Sequence, residues 1–318
     1  MGKVLESVAE QLPPGCPWSV LIVDNGSQPA LAPSVLAPLR SANLPARIVR
    51  ENRPGLIHAR IRAIEETDSA WLLFIDDDNV LFRDYLKSAV DFIHEHEEVG
   101  CFGGKILLPP ETRDGELPAA FRGFFAIRDF GEQTLICPSR AEHEPCGAGL
   151  MVRRDVLDYF KTFTRQRALC ESLGRKPHIM ASCEDSLLVR CAYRLGLKSA
   201  YVPNLVLQHY IDAERFRWRA LFDLVCRFGE SNAILNWVSA EKPRCPREYR
   251  SGFAALRTVV YAFFQDAASG GLRYAIAKVG YHRAEWRIYR VLSAHASPFR
   301  AHEKARKTAR RQVHETSL

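Results

Sequence analysis

The chain has 318 residues, 47% of them hydrophobic, which permits a sizeable core and excludes a globally disordered protein. It holds no run of 18 apolar residues, and its first fifteen residues lack the basic-then-apolar order of a signal peptide, so neither a membrane-spanning helix nor a secretory leader is expected. The net charge of +7 is uneven: residues 212–318 carry 20 Lys and Arg against 10 Asp and Glu, and the first 211 carry 24 against 27. That distribution excludes a main domain that binds nucleic acid and points to a basic appendage on a near-neutral body. The nine cysteines show no CxxC spacing, so they read as small core residues of a reducing cytosol rather than as a zinc site or disulfide framework.

In chain order, residues 4–11 read as a helix stopped by Pro13-Pro14-Gly15. Residues 18–23 form an apolar run that ends in Asp24-Asn25-Gly26-Ser27, a buried strand followed by a turn. Residues 46–50 make a weaker strand, Asn52-Arg53-Pro54-Gly55 a loop, and residues 56–66 a helix. Trp71-Leu72-Leu73-Phe74-Ile75 is the clearest strand, expected to be buried, and three carboxylates follow it. A helix over 82–96, a strand over 99–104, a loop-rich stretch over 105–145, a strand over 147–152 and a helix over 154–160 come next. Residues 184–195 read as a helix closed by Gly196, and 199–208 as a last strand. Beyond residue 212 the strand signals stop. Helices are expected over 216–238, 253–268 and 274–294, then a polar basic tail with little order. Alternation of strands and helices implies an α/β domain over 1–211 with a mostly parallel sheet, and a helical extension over 212–318.

Three features carry chemistry. Asp76-Asp77-Asp78 sits where a strand ends, the position at which open α/β sheets bind ligands. Three adjacent carboxylates repel one another, and a hard cation shared with a diphosphate relieves that repulsion. In an extended segment Asp76 and Asp78 face one way and Asp77 the other. The plain alternative is a solvated acidic loop with Asp78-Asn79 capping the next helix. Glu184-Asp185 opens a helix, where acids suit the dipole; either could also serve as a general base toward a hydroxyl. His209 follows the last strand and could ligate a metal, though a lone His there is more often an ordinary residue.

Taken together and in order, Ile22-Val23-Asp24-Asn25-Gly26-Ser27, Asn52-Arg53-Pro54-Gly55 with Ala59-Arg60, Phe74-Ile75-Asp76-Asp77-Asp78-Asn79, Gly147-Ala148-Gly149, Cys183-Glu184-Asp185 with Leu188, and His209 resemble the family-2 glycosyltransferases of GT-A type. The resemblance spans residues 4–211. It implies a Rossmann-like sheet flanked by helices and an inverting, metal-assisted transfer of a sugar from a nucleotide-sugar donor to a hydroxyl acceptor, a polysaccharide or glycolipid. It implies that Asp24 contacts the nucleotide base, that Arg53, Arg60, Asp76 and Asp77 lie at the donor, and that Asp78 and His209 hold Mg²⁺ or Mn²⁺. Asp185 would be the base, supported by Glu184, and Gly147 to Gly149 would let backbone approach the sugar or acceptor. Two positions depart from the pattern. The expected first strand with a Pro-Thr-x-Asn-like turn has no counterpart before residues 4–11, which would leave sheet edges open. Ile61 also stands where Asn commonly follows Ala-Arg.

Residues 274–294 mix Ile276, Val279, Trp286, Ile288, Tyr289 and Leu292 with Arg273, Lys278, Arg283, Arg287 and Arg290. This suits a helix lying on an anionic membrane surface, with 253–264 docked beside it, and hence a cytoplasmic protein peripheral to the inner face of the membrane. A helical subdomain with solvated arginines explains the pattern equally well. No nucleic-acid partner is expected. Two other functions fit less of the sequence: an inactive scaffold of the same fold, and a nucleotidyltransferase, which lacks a Gly-rich basic phosphate loop here.

Overall fold

The computed structural model describes residues 1–112, 117–174 and 183–315, with side chains described to residue 294. Two compact units result, Met1–Leu224 and Val225–Leu318, and the boundary falls within a helix rather than at residue 211.

The first unit contains α1 (Gly2–Ala9), β1 (Val20–Asp24), α2 (Ala37–Ser41), β2 (Ala46–Arg50), α3 (Leu56–Glu65), β3 (Trp71–Phe74), β4 (Asn79–Leu81), α4 (Tyr85–Glu95) and β5 (Val99–Leu107). It continues through β6 (Leu135–Cys137), β7 (Leu150–Arg153), α5 (Arg154–Arg165), α6 (Glu184–Arg194) and β8 (Lys198–His209). The helices bury apolar residues at helical spacing, as in Tyr85, Ala89 and Phe92 of α4 and Val156, Leu157, Phe160 and Phe163 of α5. Gly196, at φ 76°, follows α6 in the left-handed conformation expected there. Ile61 is buried on α3, so an apolar side chain fits where Asn is the commoner residue. The stretch 105–145 is less irregular than expected: it holds the end of β5, a 3₁₀ helix at Ala119–Phe125, and β6.

The α/β class holds, but the sheet is mixed rather than mostly parallel. Strands run in the order β3-β7-β5-β8-β4, with β6 also on β8, and among these only β5 and β8 are parallel neighbours. The antiparallel pairs β3–β7, β5–β7, β4–β8 and β6–β8 join strands far apart in the chain, so their direction is set by tertiary packing and not by a local connection. β1 and β2 form a separate parallel pair. The edge of β3 away from β7 and the edge of β1 away from β2 have no strand partner among the described residues. This corrects one expectation. Every residue of β3 is only half-buried, because a strand paired on one edge keeps part of its surface outside the core.

The core centres on β5, β8 and α4, where Phe102, Ile106, Tyr85, Leu205 and Leu207 are almost wholly buried. Register fixes the functional end of the sheet: β4 pairs antiparallel with β8 so that Asn79 faces His209. α1 secures the other side of β4. Ser7 Oγ accepts from Leu81 N at 3.1 Å, and Gln11 Nε2 donates to the Phe82 carbonyl at 2.8 Å.

The second unit holds the rest of α7 (Trp218–Ser239) and α8 (Gly252–Glu315). α8 takes the place of the two helices expected over 253–268 and 274–294. Gly271, non-helical at φ 79° and ψ 172°, breaks it where the sequence places the gap. The backbone stays helical to Glu315, over residues for which the polar sequence predicts little order. Ala233, Tyr249, Ala255 and Tyr289 form the core of this unit. Glu285 is buried there, accepting from Asn232 Nδ2 at 2.6 Å and from the Tyr249 hydroxyl at 2.5 Å. The helix from residue 274 onward thus turns a face inward, including Ala275, Ala277, Glu285 and Tyr289, while Phe253 and Phe264 lie exposed.

Candidate functional site

Asp76-Asp77-Asp78 is not extended, so the alternation argument fails. Residues 77 and 78 form a turn between β3 and β4, and Asn79 begins β4 instead of capping a helix. The outcome is nonetheless that Asp76 and Asp78 are half-buried and Asp77 is exposed. Asn79, fully buried, organises the turn. Its Oδ1 accepts from Asp76 N at 3.2 Å, and its Nδ2 donates to Asp78 Oδ1 at 2.9 Å. A helix cap, the plain alternative for Asp78-Asn79, is not what forms, and the hold of Asn79 on the turn has no signal in the sequence beyond its place in the run 76–79.

That register sets Asp78 beside His209. His209 Nδ1 lies 2.9 Å from the Phe125 carbonyl, and Nε2 lies 3.2 Å from Asp78 Oδ2. A carbonyl only accepts, so Nδ1 carries the proton. Nε2 then meets a carboxylate either as the donor of a charged ring or as a lone pair with a cation between them. A backbone carbonyl holding the far nitrogen is the usual outer support of a metal-bound imidazole. The described residues contain no group of three His, Cys, Asp or Glu poised for a metal. Two protein ligands still fit Mg²⁺ or Mn²⁺, since such ions take one or two side chains and complete their shell with water and substrate phosphates. A cavity of ≈ 310 Å³ opens beside this pair, with Lys3, Asp77, Asp78, Val80 and Tyr210 among its walls.

Glu184 and Asp185 open α6, and Cys183 before them adopts φ 88°. A non-glycine residue in that conformation is strained and persists only where its surroundings hold it. Asp185 Oδ2 accepts from Gly147 N at 2.8 Å, and Oδ1 accepts from Ser186 N at 2.7 Å. Arg60, 3% exposed, places Nη2 3.5 Å from Glu184 Oε1, and its guanidinium lies over the Phe74 ring at 5.3 Å. Its Nη1 is buried without a hydrogen-bond partner among the described residues. Gly147 is glycine for a steric reason: a Cβ there would lie 2.5 Å from Arg60 Nη2 and 3.3 Å from Asp185 Oδ2. Gly149 has φ 69°, and its carbonyl accepts from the Tyr85 hydroxyl at 2.7 Å. That contact ties β7 to the start of α4.

The segment 146–149 therefore runs between the two acidic groups. Burial pushes the Cys146 thiol up; Arg128 opposes this, while the Asp185 and Asp76 carboxylates both add to it. Both carboxylates thus act on one buried sulfur.

Asp24 and Arg53 are held differently. Asp24 is 3% exposed and accepts from Ser27 N at 2.8 Å, Leu31 N at 3.2 Å and Arg50 Nη1 at 2.8 Å. Burial raises its pKa, but these hydrogen bonds and the Arg50 charge outweigh that and hold the carboxyl below its usual range. Arg53 grips Glu51 with Nε and Nη2, each at 3.0 Å, and its own N–H donates to the same carboxylate at 2.7 Å. Hydrogen bonding from Arg53 is the largest cause that brings Glu51 from 4.5 to about 2. Asn25 closes the arrangement, its Oδ1 accepting from Gly55 N at 2.9 Å at the start of α3, the helix that carries Arg60. Arg50 and Glu51 were not anticipated as parts of this corner. Their signal is the register of β1 on β2, which sets Asp24 opposite Arg50.

Among solved structures, the mannosyltransferase PcManGT from Pyrobaculum calidifontis, in complex with GDP-Man and Mn²⁺, is 17% identical with a TM-score of 0.47; the match covers 92% of this chain and 78% of that one. TarS 1-349 from S. aureus, in complex with UDP-GlcNAc, is 13% identical with a TM-score of 0.45, and the match covers 92% and 87%. No curated protein matches the sequence. The model of glycosyl transferase family 2 matches residues 1–160, half of the chain, from α1 through β7 and into α5. That span takes in the turn of carboxylates, the Asp24 corner, α3 and the glycines facing Asp185, and with it the chain belongs to glycosyl transferase family 2 and is a glycosyltransferase.

Proposed function

We propose that the enzyme transfers a sugar from a nucleotide-sugar donor to a hydroxyl of a saccharide or lipid-linked acceptor, with inversion and with help from a divalent cation. The observation that carries this reading is the convergence of Asp76 and Asp185 on the 146–149 segment, with Arg60 beside Gly147. Asp185 is the base. Two N–H donors fix its direction, and a carboxylate with about four lone-pair sites keeps capacity for a hydroxyl proton. As the acceptor oxygen attacks the anomeric carbon, the bond to the diphosphate breaks and the proton passes to Asp185. A Mg²⁺ or Mn²⁺ ion at Asp78 and His209 would supply charge neutralisation for the leaving diphosphate.

Arg60 works on two sides. Nη2 holds Glu184, and so the start of α6, while the unsatisfied Nη1 is left for the donor. A buried N–H without a partner is costly, and a ligand oxygen would relieve that cost. Asp24 shapes the turn that receives the base, since its carboxylate is already engaged inside the protein. Arg53 reaches the donor from its place on Glu51, and Asp76 and Asp77 flank the diphosphate. A lipid-linked acceptor would bring the enzyme to the cytoplasmic face of an anionic membrane, as a peripheral protein of surface-polysaccharide synthesis.

The test is a screen of nucleotide sugars that follows nucleoside diphosphate release with Mg²⁺, Mn²⁺ or chelator. Cation-dependent release that is lost in Asp78→Ala and in Asp185→Asn is expected. Unchanged release in both variants would overturn the assigned roles, and no release from any donor would favour a scaffold.

A further inference from the structure

α8 begins with an arrangement that water does not favour. Ala255 is buried against the rest of its unit, yet the opposite face carries Phe253, Leu256, Val260, Tyr261 and Phe264, exposed by 79%, 60%, 48%, 65% and 69%. Spacings of three and four residues align Phe253, Leu256, Val260 and Phe264 along one stripe, with Tyr261 at its border. The three aromatic rings alone, at roughly 150–250 Å² each, expose on the order of 400 Å². A patch of that size matches the largest that a soluble monomer shows, and such patches mark contact surfaces.

Charge identifies the occupant. Lys242, Arg244, Arg247, Arg250, Arg257 and Arg273 are all exposed, and Glu248 and Asp266 are the acids between 242 and 273. Arg257 lies inside the stripe, one residue after Leu256. The unit as a whole holds 17 Lys and Arg against 7 Asp and Glu. A second copy of the chain would set like charges against each other around the patch. A partner that is both apolar and anionic suits both features. No helix among the described residues is long and apolar enough to cross a membrane, so the helix would lie in the interface instead.

We propose that residues 253–264 of α8 insert their Phe253-Leu256-Val260-Phe264 stripe into an anionic lipid surface, with the surrounding arginines on the headgroups. This extends the peripheral placement in the proposed reading and names its contact surface; the segment over 274–294, whose inner face is buried, is not that surface. The catalytic residues take no part.

The full-length protein is mixed with phosphatidylcholine vesicles with and without phosphatidylglycerol, and the bound fraction is measured by co-sedimentation. Binding to the anionic vesicles is expected, weakening with salt. Replacing both rings (F253S/F264S) should lower the vesicle affinity by at least about ten-fold, since each ring loses an apolar anchor. Arg257→Gln should weaken binding less. Because these side chains are exposed, unchanged circular dichroism and unchanged diphosphate release are expected of each variant, so a failed transfer assay leaves this test intact. Absence of binding to anionic vesicles, or full binding by F253S/F264S, would overturn the proposal. So would a dimer in gel filtration that F253S/F264S dissolves, because a second copy would then be the occupant.

Discussion

Two groups of carboxylates in the first unit look alike in sequence and differ in the fold. Asp24 and Glu51 are satisfied inside the protein: Asp24 accepts from two backbone N–H groups and the Arg50 guanidinium, and Glu51 from one backbone N–H and the Arg53 guanidinium. Both are held below their usual pKa range. Asp185 accepts from two backbone N–H groups, and Asp78 meets an imidazole nitrogen whose far side is fixed by a carbonyl. The first pair closes a corner of the fold. The second faces groups that chemistry or a cation can engage. An acid at a position that resembles the family's can therefore be closed by donors within the protein, and its hydrogen-bond partners show this where residue type does not.

The largest expected effect sharpens this contrast. Asp185→Asn removes the base and turns an amide nitrogen toward one of the two N–H donors, and should lower kcat by about 10²–10⁴ with little change in donor Kd and only a small fall in Tm. Equal losses of activity and of Tm would place Asp185 with the frame. Asp78→Ala and His209→Ala should each raise the Mn²⁺ concentration for half-maximal activity by roughly 10–100-fold, read by titration of diphosphate release. An unchanged metal requirement in both would break the pairing of these residues with a cation.

Arg60 lies between the two groups and should show both characters. Arg60→Gln is expected to lower kcat about ten-fold and to weaken donor binding by a similar factor, because a hydrogen bond to a charged group contributes about 1.5–3 kcal/mol. Loss of kcat alone, with donor Kd intact by calorimetry, would reduce Arg60 to positioning Glu184. Arg60→Lys keeps the charge without the two-sided geometry and should recover little.

The smallest effect belongs to the closed corner. The Glu51 pKa is lowered by folding, so its contribution to stability is present above the unfolded value and lost as pH falls through the folded one. For a shift from 4.5 to about 2, that loss spans roughly pH 4.5 to 2. Glu51→Gln should remove this part of the acid destabilisation, followed as Tm against pH. A Glu51→Gln curve that parallels the parent would show that Arg53 contributes nothing through this carboxylate.

Much of this was legible in the chain, and for identifiable reasons. The strand over 46–50 and the starts of α3, α5 and α6 follow from apolar runs, Gly and acid signals. The residues at 78, 185 and 209 stood out as members of an ordered set that resembles the family, since an acidic pair at a helix start or a lone His at a strand end is ordinary by itself. Other features were not legible. β4 is three residues long and hides behind a carboxylate run, so its pairing with β8, and the role of Asn79, could not be read from periodicity. The half-buried state of β3 depends on which neighbours it lacks. Residues 113–116, within the loop-rich stretch, and 175–182, just before Cys183, lie outside the described residues.

The sequence by itself determined the class of the fold and the candidate residue types, because strand and helix periodicity and side-chain chemistry are local properties. The tertiary structure decided which donors each acid meets, that Gly147 yields its Cβ space to Arg60, and that the apolar stripe at 253–264 faces outward while the helix beyond Gly271 turns inward. Those are matters of register and burial between residues 26 to 131 apart in the first unit and of packing around Tyr249 and Tyr289 in the second, and no local pattern encodes them.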